Sequence, residues 1–278
     1  MKSGFPYLVL VLLLFLLPGC KSATDVQVPE GMVYVPKGAE VNAYFMDETP
    51  VTVAQFRAFV QATDYATEAE MFGNAGVFTV EANWFLKEGA YWEYPMGPDF
   101  PKALDDHPVT QISYNDAEAY ALWAGKRLPS AAEWEHAAKD GEDVNTIYNW
   151  GNTLVVNDQY KANVWQGSFP FVNTLKDGFE YTSPVGLFGK TKLGLTDISG
   201  NVWEWTTDWD IPKGTSQKDY QVNQMSQKVL RGGSFLCEPS FCHGYQITGK
   251  SESTPETSLM HTGFRCVRDI KESDYKKL

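Results

Sequence analysis

Arg231-Gly232-Gly233-Ser234-Phe235-Leu236-Cys237-Glu238-Pro239-Ser240-Phe241-Cys242-His243 is the stretch on which the reading of this chain turns. Cys237 and Cys242 stand five positions apart. In a fully extended chain their Cα atoms would lie roughly 16 Å apart. Two thiols that share a bond or a metal need Cα atoms within about 4–7 Å, on disulfide geometry. Pro239-Ser240 is a turn signal that can fold the chain back between them. Gly232-Gly233, before Ser234, lets another stretch of chain approach the backbone closely. Two converging thiolates with no C-x-x-C make a poor zinc site, because zinc takes four ligands. Few and soft ligands suit copper(I) and leave room for a third. A structural disulfide in an exported domain explains the same spacing.

Working outward, three helix starts are legible. Thr52-Val53-Ala54-Gln55 opens an apolar pattern through Phe56, Phe59 and Val60. Ser113-Tyr114-Asn115-Asp116 precedes Ala117, Tyr120, Ala121 and Trp123, and Gly125 ends that helix. Ser130-Ala131-Ala132-Glu133 precedes Trp134, Ala137 and Ala138. In each, a hydroxyl and a side chain three residues on can satisfy two orphan N–H groups reciprocally. Beyond Asp140 almost nothing reads as helix. Strand-like runs stand at Met32–Val35, Val109–Ile112 and Lys228–Leu230. The 9 Trp, 14 Tyr and 16 Phe, with 23 Gly and 15 Pro, predict a loop-rich domain held by aromatic packing.

The chain has 278 residues and a net charge of −12, without a Lys/Arg cluster, which argues against nucleic acid as partner. It begins with Lys2 and an apolar run, Leu8 to Leu17, too short to span a membrane alone and read as an export signal. Leu17-Pro18-Gly19-Cys20 resembles a bacterial lipobox, so Cys20 is expected to carry a lipid. The other cysteines are then Cys237, Cys242 and Cys266, an odd number. At least one thiol stays outside any intramolecular disulfide. The expected organisation is a signal over 1–20, a tether over 21–30, one domain over 31–270 and a tail over 271–278. Nothing suggests a coiled coil, so a monomer is expected.

The segment Gly232–Cys242 resembles the active-site segment of the formylglycine-generating enzymes, or sulfatase-modifying factors. Further segments fall in that family's order: Trp92–Pro98, His107-Pro108-Val109, Trp123–Pro129, Glu133-Trp134-Glu135, Ala162–Gly167, Gly200–Trp205, Thr254-Pro255 and Gly263–Cys266. The resemblance covers roughly residues 31 to 268. It implies a single α+β domain of low regular structure, distantly like C-type lectins. It also implies oxidation of a sulfatase cysteine to Cα-formylglycine by O₂ and copper, on a C-x-P-x-R motif in an unfolded polypeptide.

By that resemblance Cys237 and Cys242 hold copper(I), Ser234 lines the pocket, and Trp203 walls it. Calcium is implied twice. One site takes the side chains of Asn163 and Asp177 with the carbonyls of Val164 and Phe179. The other takes those of Asp197 and Glu204 with the carbonyls of Gly200 and Val202. Such oxygen sets suit calcium. Departures from the family are Lys250, where many members carry Arg, His261 in place of an Asn, and Glu238. Ala121 and Ile247 stand where vertebrate-type members have disulfide cysteines, which leaves Cys266 a free, buried thiol. His107 and His136 read as structural, and His243 as a neighbour able to tune Cys242. The alternative function is a non-catalytic, lectin-like binding or assembly lipoprotein of the bacterial envelope. An iron-dependent sulfoxide synthase is a remote alternative, with no histidine array and no room for its helper domain.

Overall fold

The computed structural model describes residues 26–79, 81, 83–240 and 242–276. The export signal and Cys20 lie outside the described residues. All three predicted helices form where their caps place them: α1 (Val53–Thr63), α3 (Tyr114–Trp123) and α4 (Ala131–Ala138). Thr52, Ser113 and Ser130 each accept the N–H three residues on, and Gln55, Asp116 and Glu133 return the bond to the cap's own N–H. Each such cap contributes about 1 kcal/mol. Gly125, at φ 67°, follows the end of α3. A fourth helix, α2 (Glu68–Phe72), carries its own capping box, Thr67 with Glu70. It is five residues long, too short for apolar periodicity to announce it.

The strands are short. β1 (Met32–Val35) and β2 (Tyr44–Asp47) pair antiparallel, and β11 (Val267–Asp269) adds to the other side of β2. A hairpin joins β3 (Asn74–Phe78) to β4 (Trp84–Glu88), and a smaller one joins β5 (Val155–Val156) to β6 (Gln159–Tyr160). The third sheet runs β10 (Thr262–Gly263), β7 (Trp203–Trp209), β8 (Lys228–Arg231), β9 (Ser251–Ser253), with β10 parallel to β7. This is the expected single α+β domain.

Val109–Ile112, expected as a strand, is not one. Gln111 sits at φ 57°, a left-handed conformation that breaks an extended ladder. Its amide instead donates to the carbonyls of Gly76 and Pro95, tying the hairpin to the core.

Aromatic packing dominates the interior as composition predicted. Phe56 of α1 stacks on Tyr120 of α3 at 5.9 Å, and Phe264 meets both edge-on. Beneath α4 the indole of Trp134 donates to Glu204 at 2.6 Å. The same carboxylate takes two bonds from Arg265, at 2.8 and 2.7 Å, and both side chains are fully buried. The remaining guanidinium hydrogens go to the carbonyls of Asp47, Glu48 and Thr196. Every donor of Arg265 is therefore used. Among the described residues Cys266 is a free, buried thiol, as expected. Burial and the nearby Asp47 carboxylate push its pKa up, so it is not a reactive group.

Candidate functional site

The site is built where β8 ends. Gly232 and Gly233 follow it at φ 92° and 69°. A Cβ on Gly233 would lie 2.4 Å from the nitrogen of Tyr245, so only glycine admits the returning strand of chain. The turn read at Pro239-Ser240 forms. Cys237 N–H donates to Ser234 O, and Cys242 N–H to Glu238 O at 2.7 Å. The Cα atoms of Cys237 and Cys242 are thereby 5.0 Å apart, and the two sulfurs are joined as a disulfide. Trp165 N–H donates to Cys237 O and fixes the segment from behind.

The pair lies at an open cavity of about 460 Å³, which Trp203, Ser234, Lys250 and His261 also line. Cys237 is buried and Cys242 is half-buried, so Cys242 is the sulfur nearer solvent. Gly244 N–H points at Cys242 Sγ, 3.4 Å away, a donor suited to a thiolate. Trp203 begins β7 and is held by its N–H on His261 O. Its ring passes over Gly244, where a Cβ would come within 2.0 Å of it. Lys250, expected near the substrate groove, does line the cavity, and its ammonium is answered by Asp210 at 2.5 Å.

His261 is the main surprise in the site. Its Nδ1 lies 3.0 Å from Ser234 Oγ, and Trp84 covers its ring at 5.0 Å. Leu236 N–H already donates to Ser234 Oγ. Which of Ser234 Oγ and His261 Nδ1 donates to the other is set by the imidazole tautomer. Burial drives the His261 pKa down to about 3, so the ring is neutral at ordinary pH. The folded value lies below the unfolded value of 6.5. The unfolded chain therefore binds more protons between the two, and the stability tied to the neutral ring is complete above 6.5 and drains away as pH falls toward 3. The slope is at most about 1.4 kcal/mol per pH unit. The unfolding midpoint of His261→Asn is expected to fall less than that of the parent between about pH 7.5 and about pH 5. Parallel curves would mean that the histidine charges inside the fold.

Most of the oxygens implied for calcium are hydrogen-bonded within the protein, both of Glu204's to Arg265 and Trp134 among them. Asn163 Nδ2 donates to Tyr181 O and to Asn201, while its buried Oδ1 has no partner. Asp177 accepts the N–H groups of Val164 and Phe179, and burial pushes its pKa up. The Gln166 amide takes the Val164 carbonyl. In the second set Asp197 accepts from Gly186 N–H and Thr196, and burial raises its pKa, with Glu204 adding to the rise. Glu204 is paired with Arg265, and Asp197 feels the charges of both. His107 bonds Thr182 and His136 bonds Pro36 O, both structural as expected. His243 lines the cavity beside Cys242.

Sequence reasoning missed Trp84, Phe78 and Phe169, which also line the cavity. No periodicity or motif marks them, because they arrive from a hairpin and a loop far away in sequence. Gly244 and Gly249 were missed too, although a glycine so close to Cys242 was a usable sign of tight approach.

A model of the sulfatase-modifying factor enzyme 1-like domain matches residues 16–270. The formylglycine-generating enzyme of Bos taurus is 40% identical over 249 residues, covering 82% of this chain and 66% of that protein. The enzyme of the same name from Streptomyces coelicolor is 40% identical, over 81% of this chain and 78% of its own length. The inactive C-alpha-formylglycine-generating enzyme 2 of Bos taurus is 36% identical, over 81% and 77%. Among solved structures PvdO from Pseudomonas aeruginosa superposes with a TM-score of 0.59 at 22% identity, over 88% of this chain and 90% of PvdO. That likeness shows the shared fold.

Proposed function

Because the chain belongs to the sulfatase-modifying factor family, we propose that it activates sulfatases by oxidising a cysteine of the unfolded polypeptide, in a C-x-P-x-R motif, to Cα-formylglycine. The observation that carries this reading is the convergence of Cys237 and Cys242 at an open cavity beside Ser234 and Trp203. An inactive relative keeps much of the sequence, so the family alone would not carry it.

The substrate CH₂–SH carbon loses two electrons, its C–S bond breaks and a C=O bond forms. O₂ takes four electrons, two from the substrate and two from an external thiol reductant, which leaves as disulfide. The products are the aldehyde, H₂S and water.

Cys237 and Cys242 fit copper(I): two soft sulfurs already adjacent, with an N–H on one and open space beside them. The pair must first be reduced, by the same external thiol. Bound there, copper(I) supplies the one-electron chemistry that O₂ requires. The chain's own groups do the rest. Trp203 walls the cavity and excludes water. Ser234 offers a hydroxyl to the substrate or an oxygen species, and the neutral His261 ring beside it positions that hydroxyl.

Calcium would sit in the two oxygen sets. The buried, unpartnered Asn163 Oδ1 favours the first of them. A chelator such as EGTA is expected to lower the unfolding midpoint by several degrees, as removal of any ligand specific to the folded state does. Asp177→Asn should shrink that drop, and an identical response in parent and variant would remove calcium from this site.

We propose further that the protein is exported to the bacterial cell envelope and attached there through a lipid on Cys20. Among the described residues no helix is long and apolar enough to cross a membrane. The deciding experiment is mass spectrometry of a C-x-P-x-R peptide incubated in air with the reduced, copper-loaded protein. An aldehyde-bearing product is expected. No conversion of several peptides with copper fully loaded overturns the oxidase and favours the binding module.

A further inference from the structure

A second cavity of about 460 Å³ adjoins the first. Phe78 and Leu236 line both, and Leu236 is bonded directly to Cys237. Trp165 lines the second cavity while its backbone N–H holds Cys237 O at 3.0 Å. The groove therefore backs onto the peptide of the active cysteine. Its outer walls are large apolar side chains left to solvent: Phe171 is 76% exposed, Phe100 44% and Leu175 42%. Single exposed apolar residues need no explanation, but several around one concavity mark a binding surface.

The polar groups there are few. Asn173 spends its carbonyl on the N–H groups of Gln166 and Leu175, while its amide nitrogen has no partner. Among the described residues, the charged ones lining the groove are Glu81 and Glu180, both acidic.

We propose that this groove is a second substrate subsite, which receives a large apolar side chain of the same polypeptide near its reacting cysteine. This rests on the function proposed above. The occupant follows from continuity, since the two cavities share walls and one extended chain can lie through both. Each residue of such a chain advances about 3.3–3.6 Å, so a side chain about two to four positions before the cysteine, outside the C-x-P-x-R core, falls within reach. Aromatic walls with one free donor suit an apolar anchor and a main-chain carbonyl. The two carboxylates favour neutral or basic neighbours and disfavour acidic ones.

The test uses peptides that share a C-x-P-x-R core. In one set a Leu or Phe is walked along the flanking positions, and in the others the flanks are Ala or Asp. At one position the apolar residue is expected to lower KM at least about tenfold against Ala with kcat little changed, and Asp is expected to raise KM. In a Phe100→Ser, Phe171→Ser double variant the apolar-to-Ala ratio of KM should fall to about one. Equal KM values for apolar and Ala flanks in the parent, or a preference that survives the double variant, overturn the subsite. Conversion of the core peptide in that case leaves the proposed function standing. If no peptide is converted, the proposed function fails. Fluorescence polarisation of the labelled apolar and Ala peptides then decides the groove by affinity alone.

Discussion

Cys242→Ser is expected to cut conversion of a C-x-P-x-R peptide to below about 1% of the parent rate. Losing groups that merely orient metal ligands costs about 10–100-fold, and a ligand itself should cost more. The substitution changes one atom at a half-buried position. It removes a disulfide that closes a very short loop, for which chain entropy predicts a loss of only about 2 kcal/mol. The variant should therefore fold, with near-parental circular dichroism and a modestly lower unfolding midpoint. It should also lose the two-thiol affinity for copper(I) in a competition titration. Turnover preserved in a folded Cys242→Ser protein would remove the cysteine pair from the chemistry altogether.

Glu204→Gln is expected to have the largest effect on stability. The carboxylate is fully buried and answers both Arg265 and the Trp134 indole. Gln keeps the shape but leaves the guanidinium without its countercharge. Breaking a buried pair from one side costs about 3–5 kcal/mol. For a domain of this size that corresponds to roughly 10 °C in the unfolding midpoint, read by thermal melting with calcium present in both samples. A loss under about 1 kcal/mol would mean that the carbonyls of Asp47, Glu48 and Thr196 suffice to hold Arg265.

The helices were legible because their starts are local. Thr52, Ser113 and Ser130 carry their partners three residues on, and the structure uses each pair as the sequence orders them. The sheets were not. β10 is two residues long and pairs in parallel with β7 from about 60 positions away, and nothing in Thr262-Gly263 announces that. Val109–Ile112 looked like a strand because β-branched residues are frequent in it, and the left-handed backbone of Gln111 is invisible in composition.

The candidate site was legible in its cysteines, Ser234 and Trp203, which share a cavity. Spacing left the cysteine pair open between disulfide and metal, and the structure joins the sulfurs. The bond between Ser234 and His261, and the cover of Trp84, needed three dimensions. They join residues 27 and about 180 positions apart from different elements.

The first sheet fixes when this protein can finish folding. Its middle strand, β2, lies between β1 and β11, so residues 44–47 must wait for residues 267–269. Val26 likewise bridges to Tyr275. A ribosome has to reach residues 267–269 before that sheet can be completed, and contacts so distant in sequence form slowly. Until then the aromatic interior stays exposed. The nascent protein depends on chaperones for as long as its last strand is missing.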